Sequence, residues 1–580
     1  MSEARTLPVA AEHREFTIKV AGEAVAREHQ LLAVSVRCAV NSISAARLVY
    51  QDGAASSSDF PLSNTALFVP GAEVEVLAGS SGDPASIFKG IVVQQSLKVR
   101  EQSPPQLVIE CRHKASKLTV GRRNACYFDQ KDSDVISERL SAAGISADVE
   151  ATAVSHEQLV QYRATDWDFL LTRAEANGKL VLTEGDTVKV LAPALSGQPA
   201  CTLQFGATVL EFDGEIDSRL QFAAVKSQSW DPAQQALLEC EAEAPAVDGP
   251  GNYNHDDLAA VVGLDACRLQ HAALTEDEAQ HWANAQWQKA RISKVNGRVK
   301  CQGIGTVKPG QVVTLAGVGD RFNGDVFVTG VRHDFDLVQG WKTHIQFGNL
   351  QHAFAEQKAV SATPAAALLP VAKGLQIGVV VSNEDPEGEH RVRVRLPLVD
   401  TDQDGIWARV ANLDAGSERG FFFRPEIGDE VVLGFLEEDP RQAILLGMLH
   451  SSAHPAPLEG SDANHEKCIQ SREKLLLSFN DEKKVLQLET PAGNVLALDE
   501  DKQTVSLTDQ HGNKIELSKD GIKIESIKAI ELKAATECKF ESGTGFSAKG
   551  GTEMKLEGAV SAELSSAATT TIKGGILQLN

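Results

Sequence analysis

From Ile522 the chain reads IKIESIKA, IELKAATE, CKFESGTG, FSAKGGTE, MKLEGAVS, AELSSAAT and TTIKGGIL, consecutive octads that run to Leu577. Nearly every octad opens on an apolar-x-apolar pair: Ile522/Ile524, Ile530/Leu532, Cys538/Phe540, Phe546/Ala548, Met554/Leu556 and Ala562/Leu564, with Thr570/Ile572 keeping the register. Such short alternation predicts strands of three or four residues, joined by turns rich in Gly, Ser and Thr. Upstream, Leu486/Leu488, Leu496/Leu498, Val505/Leu507 and Ile515/Leu517 recur at intervals of nine or ten, as longer turns such as His511-Gly512-Asn513 require. One apolar pair per octad is too little surface to offset the conformational entropy of ordering the rest. The segment must therefore share its core with other chains. Three chains wound together bring the pairs to a common axis and close every strand edge. A one-chain solenoid competes, but its coils need about 18 or more residues and an octad encloses no core alone. The predicted inward set is Ile522, Ile524, Ile530, Leu532, Cys538, Phe540, Phe546, Met554, Leu556, Leu564 and Ile572. The final strand, Ile576–Asn580, would place Leu577 and Leu579 at a blunt apolar tip.

The whole chain is 580 residues, 42% hydrophobic and 23% charged, which fits a protein of roughly four domains. Its formal charge of -23 argues against a nucleic-acid groove, and no basic cluster offsets it. Met1–Phe16 carries Glu3, Arg5, Glu12, His13 and Arg14, unlike the apolar stretch of a secretory signal, so synthesis in the cytoplasm without a signal peptide is expected. The longest apolar stretch, Leu31–Val40, is broken by Ser35 and Arg37 and is too short to span a bilayer. Nine cysteines form no C-x-x-C pair, so neither a zinc nor a redox motif is present, and most read as small buried hydrophobes.

Between Phe16 and Leu118, short alternating runs separated by Gly, Ser, Asp and Pro predict a β-barrel or sandwich. Helices are predicted over 133–143 and 166–177, the second capped by Thr165 and stopped by Asn177-Gly178. An internal similarity links Phe68–Val76, with its return Phe88-Lys89-Gly90-Ile91-Val92, to Val307–Leu315, with its return Phe327–Val331. In both, Pro-Gly sets a turn before a strand, which predicts two related barrels. Residues 356–373 read as an Ala-rich linker. Strands at Gln376–Val381, Arg391–Pro397, Trp407–Val410, Glu430–Phe435 and Ala443–Met448 predict a small OB-like barrel.

Signatures of hydrolases, NTPases, zincins and dinucleotide enzymes are missing, so no catalytic, cofactor-binding or metal residue is assigned and no cofactor is expected. Asp400-Thr401-Asp402-Gln403-Asp404-Gly405 copies half of a calcium loop, but its twelfth position is Ala411 and a solvated turn fits better. Asn254-His255-Asp256-Asp257 and Cys111-Arg112-His113, read as strand, would send adjacent side chains to opposite faces. Glu437-Glu438-Asp439 reads as a solvated hairpin turn. Trp407 and Phe421–Phe423 read as packing, in the barrel core or between copies.

Four stretches carry a family resemblance: QYRATDWDFL at 161–170, RAEANG at 173–178, GFFFRPEIGDEVVLGF at 420–435 and DPRQAILLGMLH at 439–450. With them the chain resembles VgrG, the spike of type VI secretion systems, and its counterparts in phage-tail-like contractile injection systems, where phage hub and needle proteins are fused in one chain. The resemblance implies a mainly β protein with some α. Residues 1–120 would be a first hub barrel, 121–250 a helix-containing α+β insertion, and 251–355 a second hub barrel with a helix. After the linker, 374–455 would be the OB-fold domain, 456–485 a neck, and 486–580 a triple-stranded β-helix needle of a homotrimer. It further implies a non-enzymatic structural spike that punctures a target envelope, touching the target membrane transiently. A PAAR-type tip protein would sit on Leu577 and Leu579, a tube (Hcp-like) protein and baseplate components on the hub, and effector cargo would travel with it, without nucleic acid. Three copies of two related barrels would adapt a trimeric needle to a hexameric tube. The muramidase of some phage needle proteins has no room here, since about 35 residues separate Leu449 from Leu486. Two other readings compete: a cell-wall-degrading enzyme hidden in residues 120–300, with Glu175 as its test, and a receptor-binding tail fibre.

Overall fold

A computed structural model describes residues 14–80, 83–247, 249–357, 360–399, 401–402 and 404–579. The chain divides into two compact units, one running to residue 372 and taking in 437–440, the other made of 373–436 and 441 onward.

In the first unit the strand Gly324–Asp336 joins what the sequence predicts as two barrels. Its beginning pairs with Val312–Ala316, most of its length pairs with Gly340–Phe347, and Gly330–Asp336 pairs antiparallel with Leu31–Ala39. The two lobes are thereby consecutive parts of one thirteen-stranded sheet among the described residues.

Each lobe repeats one order of strands. In the first, Leu31–Ala39, Ala45–Gln51, Glu73–Ser80, Asp83–Arg100 and Ser103–Arg112, counted along the chain, lie side by side as one-two-five-four-three. In the second, Val209–Ile216, Val295–Gln302, Val312–Ala316, Gly324–Asp336 and Gly340–Phe347 lie in the same order, all antiparallel. The Pro-Gly turns match in detail. Gly71 N–H donates to Val92 C=O at 2.8 Å and Val92 N–H donates to Ala72 C=O at 2.9 Å; Gly310 and Val328 repeat this, Val328 donating to Gln311, both at 2.8 Å. Gly71 and Gly310 lie at φ +97° and +88°, where a Cβ is disfavoured. Val92 is consequently the structural equivalent of Val328, three residues before the Val331 that the sequence similarity sets against it. From turn glycine to return strand the second copy is three residues shorter than the first, and the hydrogen bonds of the turn, not the ungapped match, fix the register.

The second lobe also begins earlier than residue 251, because Val209–Ile216 is its first strand. Its tie to Val295–Gln302 spans an insertion with the sheet Val225–Asp231, Ala236–Glu241 and Cys267–His271 and the helices α3 (His255–Val262) and α4 (Glu276–Ile292). Between the lobes stand α1 (Asp132–Ala142) and α2 (Asp166–Ala176). In α2, Thr165 Oγ1 accepts from Asp168 N–H at 3.0 Å, acidic residues fill the first turn, and Gly178 at φ +65° follows the last. Its buried Trp167, Leu170, Leu171 and Ala174 pack on Leu118, Leu140 and Val181.

In the second unit Gln376–Ser382, Val392–Arg395, Ile406–Val410, Ala443–Met448 and Glu430–Phe435 form a closed barrel in that order. Val380, Val392, Val394, Ala408, Val431, Leu433, Ala443 and Leu445 fill it, each larger aliphatic contributing about 1.5–3 kcal/mol. After the barrel, seven five-residue strands form an antiparallel meander from Glu466 to Glu525. It starts twenty residues before the predicted Leu486, taking in part of the predicted neck, because Leu477 and Phe479 already carry the alternation. No helix among the described residues is long and apolar enough to cross a membrane.

Candidate functional site

The meander aligns its apolar residues rung by rung. Leu488 faces Leu496, Leu496 faces Leu507, Leu507 faces Ile515 and Ile515 faces Ile524, while Leu486, Leu498, Val505, Leu517 and Ile522 form the parallel row. No described residue covers this face: Leu488, Leu498, Leu507 and Leu517 are all exposed. Ile522 and Ile524 lie on its last strand, Gly521–Glu525. The other predicted inward residues, Ile530, Leu532, Cys538, Phe540, Phe546, Met554, Leu556, Leu564 and Ile572, lie along 526–579, where the described residues form no strand, contrary to the predicted octad strands. They are exposed, as are Leu577 and Leu579; Phe540 and Phe546 are 67% and 71% exposed, their rings 6.4 Å apart. Octads without neighbouring strands have no partner for their backbone groups, which is the physical reason for the difference. Asn580 lies outside the described residues, as do Met1–His13 and, in the acidic turn, Asp400 and Gln403.

The aromatic residues of the OB barrel divide. Trp407 is half-buried, flanked by the guanidinium groups of Arg391 and Arg393 at 5.5 and 5.6 Å from its ring. Phe421, Phe422 and Phe423 stay exposed, outside the barrel core. Asp439 is buried rather than solvated.

The first unit holds the groups on which an enzyme would depend, and their partners are structural. Glu175 accepts from Lys289 Nζ and from Phe354 N–H, both at 2.9 Å. His255 is the first residue of α3, not part of a strand; Asn254 caps that helix by accepting from Asp257 N–H at 2.7 Å. His255 is buried against Gln221 and the Val247 carbonyl, and burial lowers its pKa to about 4. His113 lies beyond its strand and accepts from Ala115 N–H at 3.1 Å. No group of three or more His, Cys, Asp or Glu suited to a metal occurs among the described residues. One charged cluster is not revealed by local sequence: Asp132 at the start of α1, His156, Arg173 on α2, Asn177 just past its end, and Glu278 on α4. His156 Nε2 lies 2.9 Å from Asp132 and Nδ1 lies 3.0 Å from Glu278, so both ring nitrogens are engaged. Arg173 and Asn177, one turn apart at the end of α2, are the only local trace of it.

These features define a mainly β chain with a duplicated N-terminal sheet, a five-stranded barrel and an uncovered apolar ladder. Residues 376–450 match the type VI secretion system/phage-baseplate injector OB domain. Residues 10–336, more than half of the chain, match the Alg8 N-terminal domain, and the chain belongs to that family. It is also VgrG-like. The type VI secretion system spike protein VgrG1b of Pseudomonas aeruginosa is 26% identical over 378 residues, covering 57% of this chain and 47% of the relative. The actin cross-linking toxin VgrG1 of Vibrio cholerae is 35% identical over 96 residues, 15% of this chain and 9% of the relative. The chain thus spans about half or less of the curated relatives it matches. Among solved structures, an E. coli component of the type VI secretion system, described as similar to T4 bacteriophage tail proteins, is 12% identical with a TM-score of 0.37. That likeness covers 74% of this chain and 99% of the other.

Proposed function

We propose that this chain is the spike of a contractile injection machine, with a hub in its first 355 residues, an OB barrel at 374–455, and a needle that is a triple-stranded β-helix of three copies. The observation that carries the reading is the apolar ladder of the meander, continued by the octad pairs as far as Ile572 and left uncovered by the described residues. Contiguous exposed apolar surface of this kind marks an interface. Sheath contraction would drive the spike through a target envelope, with transient contact between needle and membrane. Leu577 and Leu579 would seat a PAAR-type tip protein. The duplicated lobes, three copies together, offer six similar faces to an Hcp-like tube ring and its baseplate, and effectors would travel with the spike. The chain would be made in the cytoplasm and leave it within the injection particle. No covalent chemistry is assigned.

Light scattering on the purified full-length chain tests the core of this reading. A mass three times that of the chain is expected; a folded monomer would remove its physical basis. For the competing enzyme reading, Glu175→Gln is the discriminating variant: peptidoglycan cleavage by the unaltered protein that this change abolishes would favour it. Both oxygens of Glu175 are already engaged, so no such activity is expected.

A further inference from the structure

The apolar pair occupies the first and third places of each octad; the second and fourth places carry a pattern of charge. Along the second place the residues are Lys523, Glu531, Lys539, Ser547, Lys555, Glu563 and Thr571, and along the fourth they are Glu525, Lys533, Glu541, Lys549, Glu557, Ser565 and Lys573. Wherever two consecutive octads both carry a charge at the same place, the signs are opposite; two octads apart, all such pairs but Glu557 and Lys573 are alike. Strand alternation puts these places on the face away from the apolar pairs. Where the chain is a strand they do meet there: Lys523 Nζ lies 2.6 Å from Glu525, both substantially exposed. Lys555 also pairs with Glu557, outside any strand. The preceding hairpin already sets opposite charges across from each other, Lys514 facing Glu525 and Glu516 facing Lys523.

We propose that these residues form Lys–Glu ladders between neighbouring copies of this chain and fix their register at one octad. The inference rests on the trimeric needle proposed above. A chain that moves to the next face of a threefold prism with each octad returns to its first face after three. The two strands between come from the other copies and run in the same direction. Each octad then lies beside the following octad of a neighbouring copy, second place against second and fourth against fourth, at the strand spacing of about 4.8 Å. That offset meets opposite charge at every charged step. An offset of two octads would stack like charges, which is unfavourable across strands. An antiparallel hairpin within one chain would align only the second places and leave the alternation at the fourth without a partner. The occupant of this exposed face is therefore another copy of the chain, in one register.

The test uses the full-length chain. The variant Glu531→Lys/Lys533→Glu/Lys549→Glu/Glu563→Lys keeps composition and net charge but gives consecutive octads like charges. A companion variant that inverts every charge at both places preserves the alternation. Zero-length carbodiimide coupling of mixed isotope-labelled and unlabelled chains is expected to join Lys539 of one copy to Glu531 of another in the unaltered protein, and the same two positions, with the charges exchanged, in the inverted one. The in-phase variant should lose those links, and at low salt its trimer should dissociate at roughly tenfold or higher concentration, a difference that high salt erases. Coupling confined to single chains, or an in-phase trimer as stable as the unaltered one, would overturn the ladder and leave the trimer standing. A monomeric unaltered chain would overturn the trimeric reading and the ladder with it.

Discussion

Arg173 closes on Asp132 through two contacts, Nε to Oδ1 at 2.6 Å and Nη2 to Oδ2 at 2.9 Å, and so ties the end of α2 to the start of α1. Asp132 is almost fully buried, and Asn177 Nδ2 donates to it at 2.8 Å. Burial alone would push its carboxyl up; the hydrogen bonds and charge of Arg173, with His156 and Asn177, outweigh that and hold it below the ordinary value of 3.8. A carboxyl depressed in the folded state stabilises the fold above its unfolded pKa, and that contribution is lost as pH falls through the folded value. Asp132→Asn is expected to cost about 2–4 kcal/mol at neutral pH, because it leaves the half-buried Arg173 without its charge partner. It should also flatten the loss of stability below about pH 4. Denaturant unfolding across pH measures both, and an unchanged midpoint would refute the assignment.

His333 should produce pH dependence in a different window. It is buried beside Trp341, with Nδ1 3.1 Å from Thr343 Oγ1, and burial lowers its pKa to about 4, against a small upward pull from Asp334. Between pH 4 and 6.5 the unfolded chain therefore binds more protons at this site, so stability rises with pH across that window. The contribution is about 3 kcal/mol in full. In His333→Gln the slope of melting temperature against pH should shrink between pH 4 and 6.5 and stay unchanged above pH 7.

If the proposed trimeric needle forms, Phe546→Asp should reduce the light-scattering mass below three chains, while Phe546→Leu preserves it. A buried Phe is worth about 3–5 kcal/mol against truncation, and a charge at a shared axis costs more. The melting of the N-terminal unit should be the same in both variants. A trimer that tolerates Asp at 546 would place this residue outside the shared core.

Gly297 tests the packing between strands of the second lobe. A Cβ there would lie 2.2 Å from the Asp213 carbonyl oxygen and 2.7 Å from the Phe347 ring. Gly297→Ala should lower stability by about 1–3 kcal/mol through overpacking, read by denaturant titration. Gly90 in the first lobe is under the same constraint, 2.3 Å from the Arg112 carbonyl oxygen.

What the sequence disclosed depended on how local the signal was. The five OB strands and α2 with its Thr165 cap and Gly178 stop were legible because alternation, cap and stop lie within a dozen residues. The Pro-Gly turns at 71 and 310 revealed the duplication, yet their return strands were misaligned by three, since the stretch from turn to return strand is three residues shorter in the second copy and an ungapped match does not register that. Val209–Ile216 was hidden as the start of the second lobe, because its partner at 295–302 lies beyond an inserted sheet and two helices. Asn254 was a legible cap that the acidic residues after it disguised. The Asp132 cluster draws on four separate segments, and no local pattern announces it.

The pairing of Gly330–Asp336 with Leu31–Ala39 has a consequence for the newborn chain. The first lobe has all its own strands by Arg112, but the open side of Leu31–Ala39 waits for a partner more than two hundred residues further along. At about 5–20 residues per second of synthesis, that edge stands unpaired for roughly 10–45 s on every ribosome making this protein. Neighbouring nascent chains on one message would display the same bare edge at the same time. The step in biogenesis most exposed to aggregation is thus the interval before Gly330 emerges, and a holdase that shields strand edges would raise yield most if present then.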